Sequence, residues 1–160
     1  MYCTPYMKVS RKKTRRLLVQ QLYARIYTHY NEALFNEAFF EDRFDFAPDR
    51  EYMKEMFEII VARQQNILDI ISKYAPKFDL ETMQKTNILS LAVAITEMLW
   101  LKEEIPAKVS INEAIDLSKY FWDDTSKNIV NGILNSFYKN INMHLEKDIE
   151  SQTKLQLFCD

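Results

Sequence analysis

ILSLAVAITEMLWL, residues 88–101, is the longest apolar stretch in the chain, and its one charged residue is Glu97. A membrane-spanning helix needs about 20 predominantly apolar residues, so this stretch is too short and too polar to cross a bilayer. Its length and its lack of Gly and Pro suit a helix buried in a protein core. The rest of the chain is read outward from that helix.

The flanking sequence is poor in turn-formers, with one Gly and four Pro in 160 residues. An all-β fold needs many tight turns, so this composition favours helices. Ser10 is a good N-cap, and Leu18, Val19, Leu22, Ile26 and Tyr30 follow with three-four spacing, which predicts a first helix to about Tyr30. NEALFNEAFFED (31–42) reads as a short Phe-rich helix and RFDFAPD (43–49) as a loop, with Asp49 capping a third helix. That helix carries Tyr52, Met56, Ile59, Ile60, Leu68 and Ile71 and ends before Pro76. Asp79 is expected to cap the apolar helix, which closes at KEEIP with Pro106 as its stop. Ser110 or Lys108 opens the next helix, and Asp124 or Thr125 caps a last one that runs to about Met143. The polar tail, 145–160, is helical or frayed. The expectation is one all-α domain of six or seven helices, with a core over about 10–144.

The net charge of −2 hides an asymmetry. Up to Asn31 there are seven basic residues (Lys8, Arg11, Lys12, Lys13, Arg15, Arg16 and Arg25) and no acid, while the remainder carries a net −9. Basic residues are disfavoured at a helix N-terminus, which already bears about half a positive charge. The block therefore reads either as a phosphate-binding surface, with an exposed tyrosine among Tyr23, Tyr27 and Tyr30 stacking on a base, or as a solvated leader.

Other chemistries find little support. Cys3 and Cys159 sit at the two ends, so no disulfide framework is expected, and a reducing, cytoplasmic setting is the simpler reading. No signal peptide or lipidation motif is evident. His29 and His144 belong to no cluster with metal-ligand spacing. Without a glycine-rich phosphate loop or a nucleophile beside a base, an enzyme is not expected, and no cofactor is implied. Gly132, within the helical pattern IVNGILNSF, is expected to mark a close helix–helix approach.

IPAKVSINEAIDLSKYFWDDTSKNIVNGIL (105–134) closely resembles the C-terminal part of the NusB family of bacterial transcription antitermination factors, whose pattern there is IPxKVxINEAxxLAKxFxxxxSxxFVNGVL. SRKKTRRLLVQQLY (10–23) matches the basic run and ALQALY-like residues of that family, and LAVAITEM (91–98) is similar to its LRLAVYEL segment. The resemblance implies two packed helical bundles. It also implies binding of single-stranded boxA-type RNA through the basic N-terminal helix, together with the ribosomal protein NusE. The pair would join an RNA polymerase antitermination complex that promotes ribosomal RNA transcription.

Carried over by position, Arg11, Lys12, Lys13, Arg15 and Arg16 would bind RNA. Tyr23 would lie near the RNA or the protein partner, Glu97 would face NusE, and Asn131 of the VNG element would join the RNA site. Asn112 and Glu113 read as structural as much as functional. The sequence departs from the family at Ala92, at Thr96, at Ile129 (where the FVNG element has an aromatic) and at Trp122–Asp123, where the family has a glycine turn. A protein–protein adaptor without sequence-specific RNA binding is the alternative, motivated by the acidic body and by Ile129.

Overall fold

The computed structural model describes residues 8–27, 33, 46–145 and 156–158. Among these residues there are seven helices: α1 (Arg11–Tyr27), α2 (Arg50–Ala62), α3 (Gln64–Tyr74), α4 (Lys85–Trp100), α5 (Ala107–Phe121), α6 (Asp124–Lys139) and the short α7 (Asn142–Leu145). No strand forms among them; the one bridge joins Val9 to Ala47. The expected Phe-rich helix over 31–42, His29, Tyr30, both cysteines and most of the tail lie outside the described residues.

Helix α4 organises the fold. Every residue from Asn87 to Met98 is buried, as expected of a helix that is apolar on all sides. Helices α1 and α2 pack on each other and on α4, as do α3 and α6, while α5 packs on α4, α6 and α1. The large side chains of Leu18, Leu22, Met56, Ile67, Leu89 and Phe137 are fully buried in one continuous core. Ala92 and Thr96 are buried as well, so these two departures from the NusB pattern repack the interior and leave the surface alone.

Several expected boundaries shift. The single helix anticipated over 50–74 is two, meeting at Arg63. Gln64 marks the break: its amide nitrogen donates to the Val61 carbonyl at 3.4 Å, and its Oε1 accepts the N–H groups of Leu157 and Phe158 at 2.9 and 3.3 Å. A side chain diverted into the helical ladder is one recognised cause of such a bend. The contact also ties part of the tail, read as helical or frayed, to the core, because Leu157 and Phe158 are buried.

Asp79 does not cap α4. Its carboxylate accepts the Glu81 N–H within a preceding turn, and the helix starts after Gln84. Pro106 stands at the N-cap of α5 and does not close α4, which ends at Trp100; a proline suits a helix start because it lacks the N–H that would go unpaired there. Asp123, one residue before the expected pair, caps α6 by accepting from the N–H groups of Thr125 and Ser126 at 3.0 and 3.2 Å. That helix ends at Lys139, short of Met143. Gly132 is exposed, and a Cβ added there would meet nothing within 4 Å, so among the described residues no helix approaches it closely and the expected packing role finds no support.

Candidate nucleic-acid interface

The start of α1 is fixed from three sides. Ser10 caps it, with its hydroxyl 3.3 Å from the Lys13 N–H. The Thr14 hydroxyl donates to the Ser10 carbonyl at 2.6 Å and accepts the Asp49 N–H at 2.9 Å. The segment before α2 adds two backbone bonds, Ser10 N–H to the Ala47 carbonyl and Ala47 N–H to the Lys8 carbonyl, both 3.2 Å. Asp49 in turn caps α2 through the Tyr52 N–H at 3.2 Å, as expected.

This clamp sorts the basic block. Arg11, half-exposed, donates from Nη2 to Asp49 Oδ2 at 2.7 Å, and its guanidinium lies 4.7 Å over the Tyr52 ring. Partial burial raises the Asp49 pKa, but the hydrogen bonds from Arg11 and the Tyr52 N–H outweigh it and hold the carboxyl below its usual value. Lys12 is exposed and pairs with Asp116 of α5 at 2.8 Å; that hydrogen bond chiefly lifts its pKa. Lys13 lies half-buried, its ammonium 5.3 Å over the Phe46 ring. Arg16 sits 4.1 Å over the ring of Tyr120, at the far end of α5.

Arg15 departs from the sequence reading. It is only 4% exposed, and its Nε donates to Glu97 Oε1 at 2.7 Å. Glu97, 0% exposed on α4, also accepts a short hydrogen bond from the Tyr52 hydroxyl and one from Ser110 Oγ at 2.7 Å. Glu113 stands 3.7 Å from Arg15 Nη1. Burial alone would lower the Arg15 pKa, but the charges of Glu97 and Tyr52, the hydrogen bond to Glu97 and the charge of Glu113 together outweigh it and raise it. Burial, then the charge of Glu97, pushes the Tyr52 hydroxyl far above its ordinary 10.0.

The expectations that Arg15 contacts RNA and that Glu97 faces a protein partner are therefore corrected: both groups lie in the interior, engaged with each other. Ser110, read as a possible cap, is a buried member of the same network. The positive charge at the helix start is thus offset in large part from within, by Asp49, Glu97, Glu113 and Asp116.

Tyr23 is 42% exposed and its ring lies 5.0 Å from that of Tyr27, tilted at 52°. It borders a groove of about 470 Å³ whose other lining residues are Val19, Gln20, Ala24, Thr86 and Phe121. Asn131 is also exposed, but on α6, where its Oδ1 accepts the Asn135 amide at 2.7 Å. Ile129 packs partly buried against the core. Tyr120 and Trp122, 53% and 55% exposed, escaped the sequence reading as site residues. The sign available for Trp122 was its place where the NusB pattern has a glycine turn.

Among the described residues no group of three or more His, Cys, Asp or Glu is placed to hold a metal ion, and no helix is long and apolar enough to cross a membrane. What the surface offers is a cluster of cations on the opening turns of a helix, bordered at Arg16 by the exposed ring of Tyr120. That combination can hold phosphates and unpaired bases.

Comparison with known proteins bears on the same elements. Residues 12–139 match the NusB family. The transcription antitermination protein NusB of Chloroherpeton thalassium is 37% identical over 138 residues; the alignment covers 84% of this chain and 64% of that protein. The NusB of Clostridium perfringens strain SM101 is 32% identical over 139 residues, covering 83% of this chain and 99% of its own. Among solved structures, T. maritima NusB superposes with a TM-score of 0.70 at 28% identity, covering 83% of this chain and 93% of that one. A chain from the complex of NusB and NusE with double-stranded RNA superposes at 0.66 with 22% identity, covering 81% of this chain and 96% of that one, a likeness of fold.

Proposed function

The chain belongs to the NusB family, and from that premise we propose that it is a transcription antitermination factor that binds single-stranded boxA-type RNA together with the ribosomal protein NusE. In this reading it acts within an RNA polymerase antitermination complex and promotes ribosomal RNA transcription, as a binding protein and not an enzyme.

The observation that carries the reading is the sorting of the basic block. Arg15 turns inward and locks α1 to α4, while Lys12, Lys13 and Arg16, with Arg11 at the edge, lie on the exposed or half-exposed side of the opening turns. Phosphates of an extended strand track such a row, and the N–H groups of the first helical turn add to its attraction for anions. Tyr23, about two turns beyond Arg16 on the same face of α1, sits where base or partner would follow. Asn131 is proposed as a more distant RNA contact on α6.

The test uses Lys12→Ala, Lys13→Ala and Arg16→Ala combined, with Arg15 left intact so that the fold is preserved. A boxA-like RNA and a scrambled one are titrated with and without the cognate NusE protein at several salt concentrations. For single strands the log–log salt slope is about −0.7 per neutralised phosphate, so losing three contacts flattens it by roughly 2. Sequence-dependent binding that tightens with NusE, and a flattened slope in the variant, are the expected results. Equal affinity and slope for parent and variant would remove α1 from the RNA surface.

The adaptor reading retains one specific support: Ile129 cannot stack as the aromatic of the family can. It takes precedence if NusE binds while neither RNA does.

A further inference from the structure

The cations at the start of α1 account for phosphates, but they leave a cluster of exposed aromatic surface unexplained. Tyr120, Phe121 and Trp122 follow one another at the C-terminal end of α5. Tyr120 and Trp122 are each more than half exposed. Phe121, half-buried, turns its ring edge-on to Tyr120, at 89° and 4.9 Å between centroids, and forms a wall of the groove. Large aromatic rings left in water in adjacent positions cost free energy and usually mark a contact surface.

Two features say what the contact is. The first is charge. Arg16 lies over Tyr120, with its guanidinium carbon 4.1 Å from the ring centroid. It belongs to the same helix face as Lys12, so the aromatics continue directly from the cationic row. A guanidinium plane and an aromatic face both stack on nucleobases, and such stacking tolerates any base because every base has a π-face. The second is shape. The groove beside Phe121 holds about 470 Å³, within the range of sites for small flat ligands, and its walls from α1 are the aliphatic Val19 and Ala24, with the amide of Gln20 alongside.

We propose that Tyr120 and Trp122, with Arg16 between them and the basic row, form a stacking platform for unpaired nucleobases of the bound RNA. The platform supplies the aromatic contact that Ile129 cannot make on α6. It rests on the RNA-binding reading above and extends it to two residues at variable positions of the stretch that carries the family resemblance. Phosphates would be held by the start of α1, and the bases 3′ or 5′ to them would turn onto the end of α5.

The test pairs affinity with a spectroscopic signal. Trp100 and Trp122 are the only tryptophans, so Trp100→Phe leaves Trp122 as the sole emitter. In that background a boxA-like single-stranded RNA is expected to quench the emission, and the same RNA with abasic positions is not. In the otherwise native chain, Tyr120→Ala with Trp122→Ala is expected to weaken RNA binding roughly fivefold to a hundredfold, as removal of aromatic stacking does. The salt slope should stay unchanged, because no phosphate contact is lost. Trp122→Phe should restore most of the affinity. Both side chains are exposed, and a thermal melt of the double variant checks that its fold is kept.

Affinity within twofold of the parent in the double variant, or Trp122 emission indifferent to RNA, overturns the platform while leaving the RNA reading intact. Failure of the parent chain to bind RNA overturns the RNA reading itself. Loss of NusE binding in the double variant with RNA affinity unchanged overturns the platform in favour of a protein contact.

Discussion

Replacing Glu97 by Gln keeps the size of the side chain and removes its charge. The side chain is completely buried, and its carboxylate accepts from Arg15 Nε at 2.7 Å, from Ser110 Oγ at 2.7 Å and from the Tyr52 hydroxyl. A glutamine in the same place can still accept one or two of these bonds. The Arg15 guanidinium, 4% exposed, is left facing a neutral amide, with Glu113 at 3.7 Å its remaining counter-charge. Removing one partner of a buried ion pair costs about 3–5 kcal/mol, because the other charge stays desolvated. A domain of this size is stable by about 5–15 kcal/mol, so Glu97→Gln removes about a fifth of the total or more. At about 2–4 °C per kcal/mol, the melting temperature falls by roughly 6–20 °C.

Urea unfolding is the direct assay, with the slope m checked against the parent. Arg15→Met together with Glu97→Gln supplies the control. Taking away the guanidinium as well removes the uncompensated charge, so the double variant is expected to be no less stable than Glu97→Gln alone, with a coupling of about 0.5–3 kcal/mol between the sites. A Glu97→Gln variant within 1 kcal/mol of the parent, or strictly additive effects, refutes the reasoning that an inward-facing ion pair sets the rotation of α1.

Gly132→Ala should stabilise the chain by about 1 kcal/mol, since α6 is helical there and nothing opposes a methyl group; a loss of stability in urea unfolding contradicts this. Asp123→Ala removes the two N-cap hydrogen bonds of α6 and should cost about 0.5–2 kcal/mol, while Asp124→Ala and Thr125→Ala, whose side chains make no cap bond, should cost less. His144 packs against Tyr74 and Phe137, with its Nε2 2.7 Å from the Tyr74 hydroxyl; burial, and then the nearby charge of Lys73, depress its pKa below the ordinary 6.5. The folded state thus binds fewer protons than the unfolded one below that pH, so this contribution to stability is complete above about pH 6.5 and is lost as the pH falls through the folded pKa. An NMR titration should give a midpoint for His144 below 6.5; a midpoint at or above it refutes the assignment.

Much of the fold was legible locally. The apolar run through α4 announced a buried helix, Ser10 and Asp49 were recognisable caps, and the INEA and VNG elements carried the family. Boundaries were missed where a tertiary partner decided them. The break at Arg63 depends on Gln64 meeting the backbone of residues 157 and 158. The tail read as polar, yet Leu157 and Phe158, among its described residues, are buried in the core.

The sequence by itself established that this end of the chain is basic and helical, because charge and three-four spacing are local properties. It could not say which cations face water. Arg15 and Arg16 are neighbours of one type, yet a step of about 100° around the helix sends one inward and the other onto Tyr120. The partner that fixes this rotation, Glu97, lies 82 residues away along the chain. Only the packing of α1 on α4 and α5 brings it within reach, and so only the tertiary structure separates the residue that holds the helix from those left to bind.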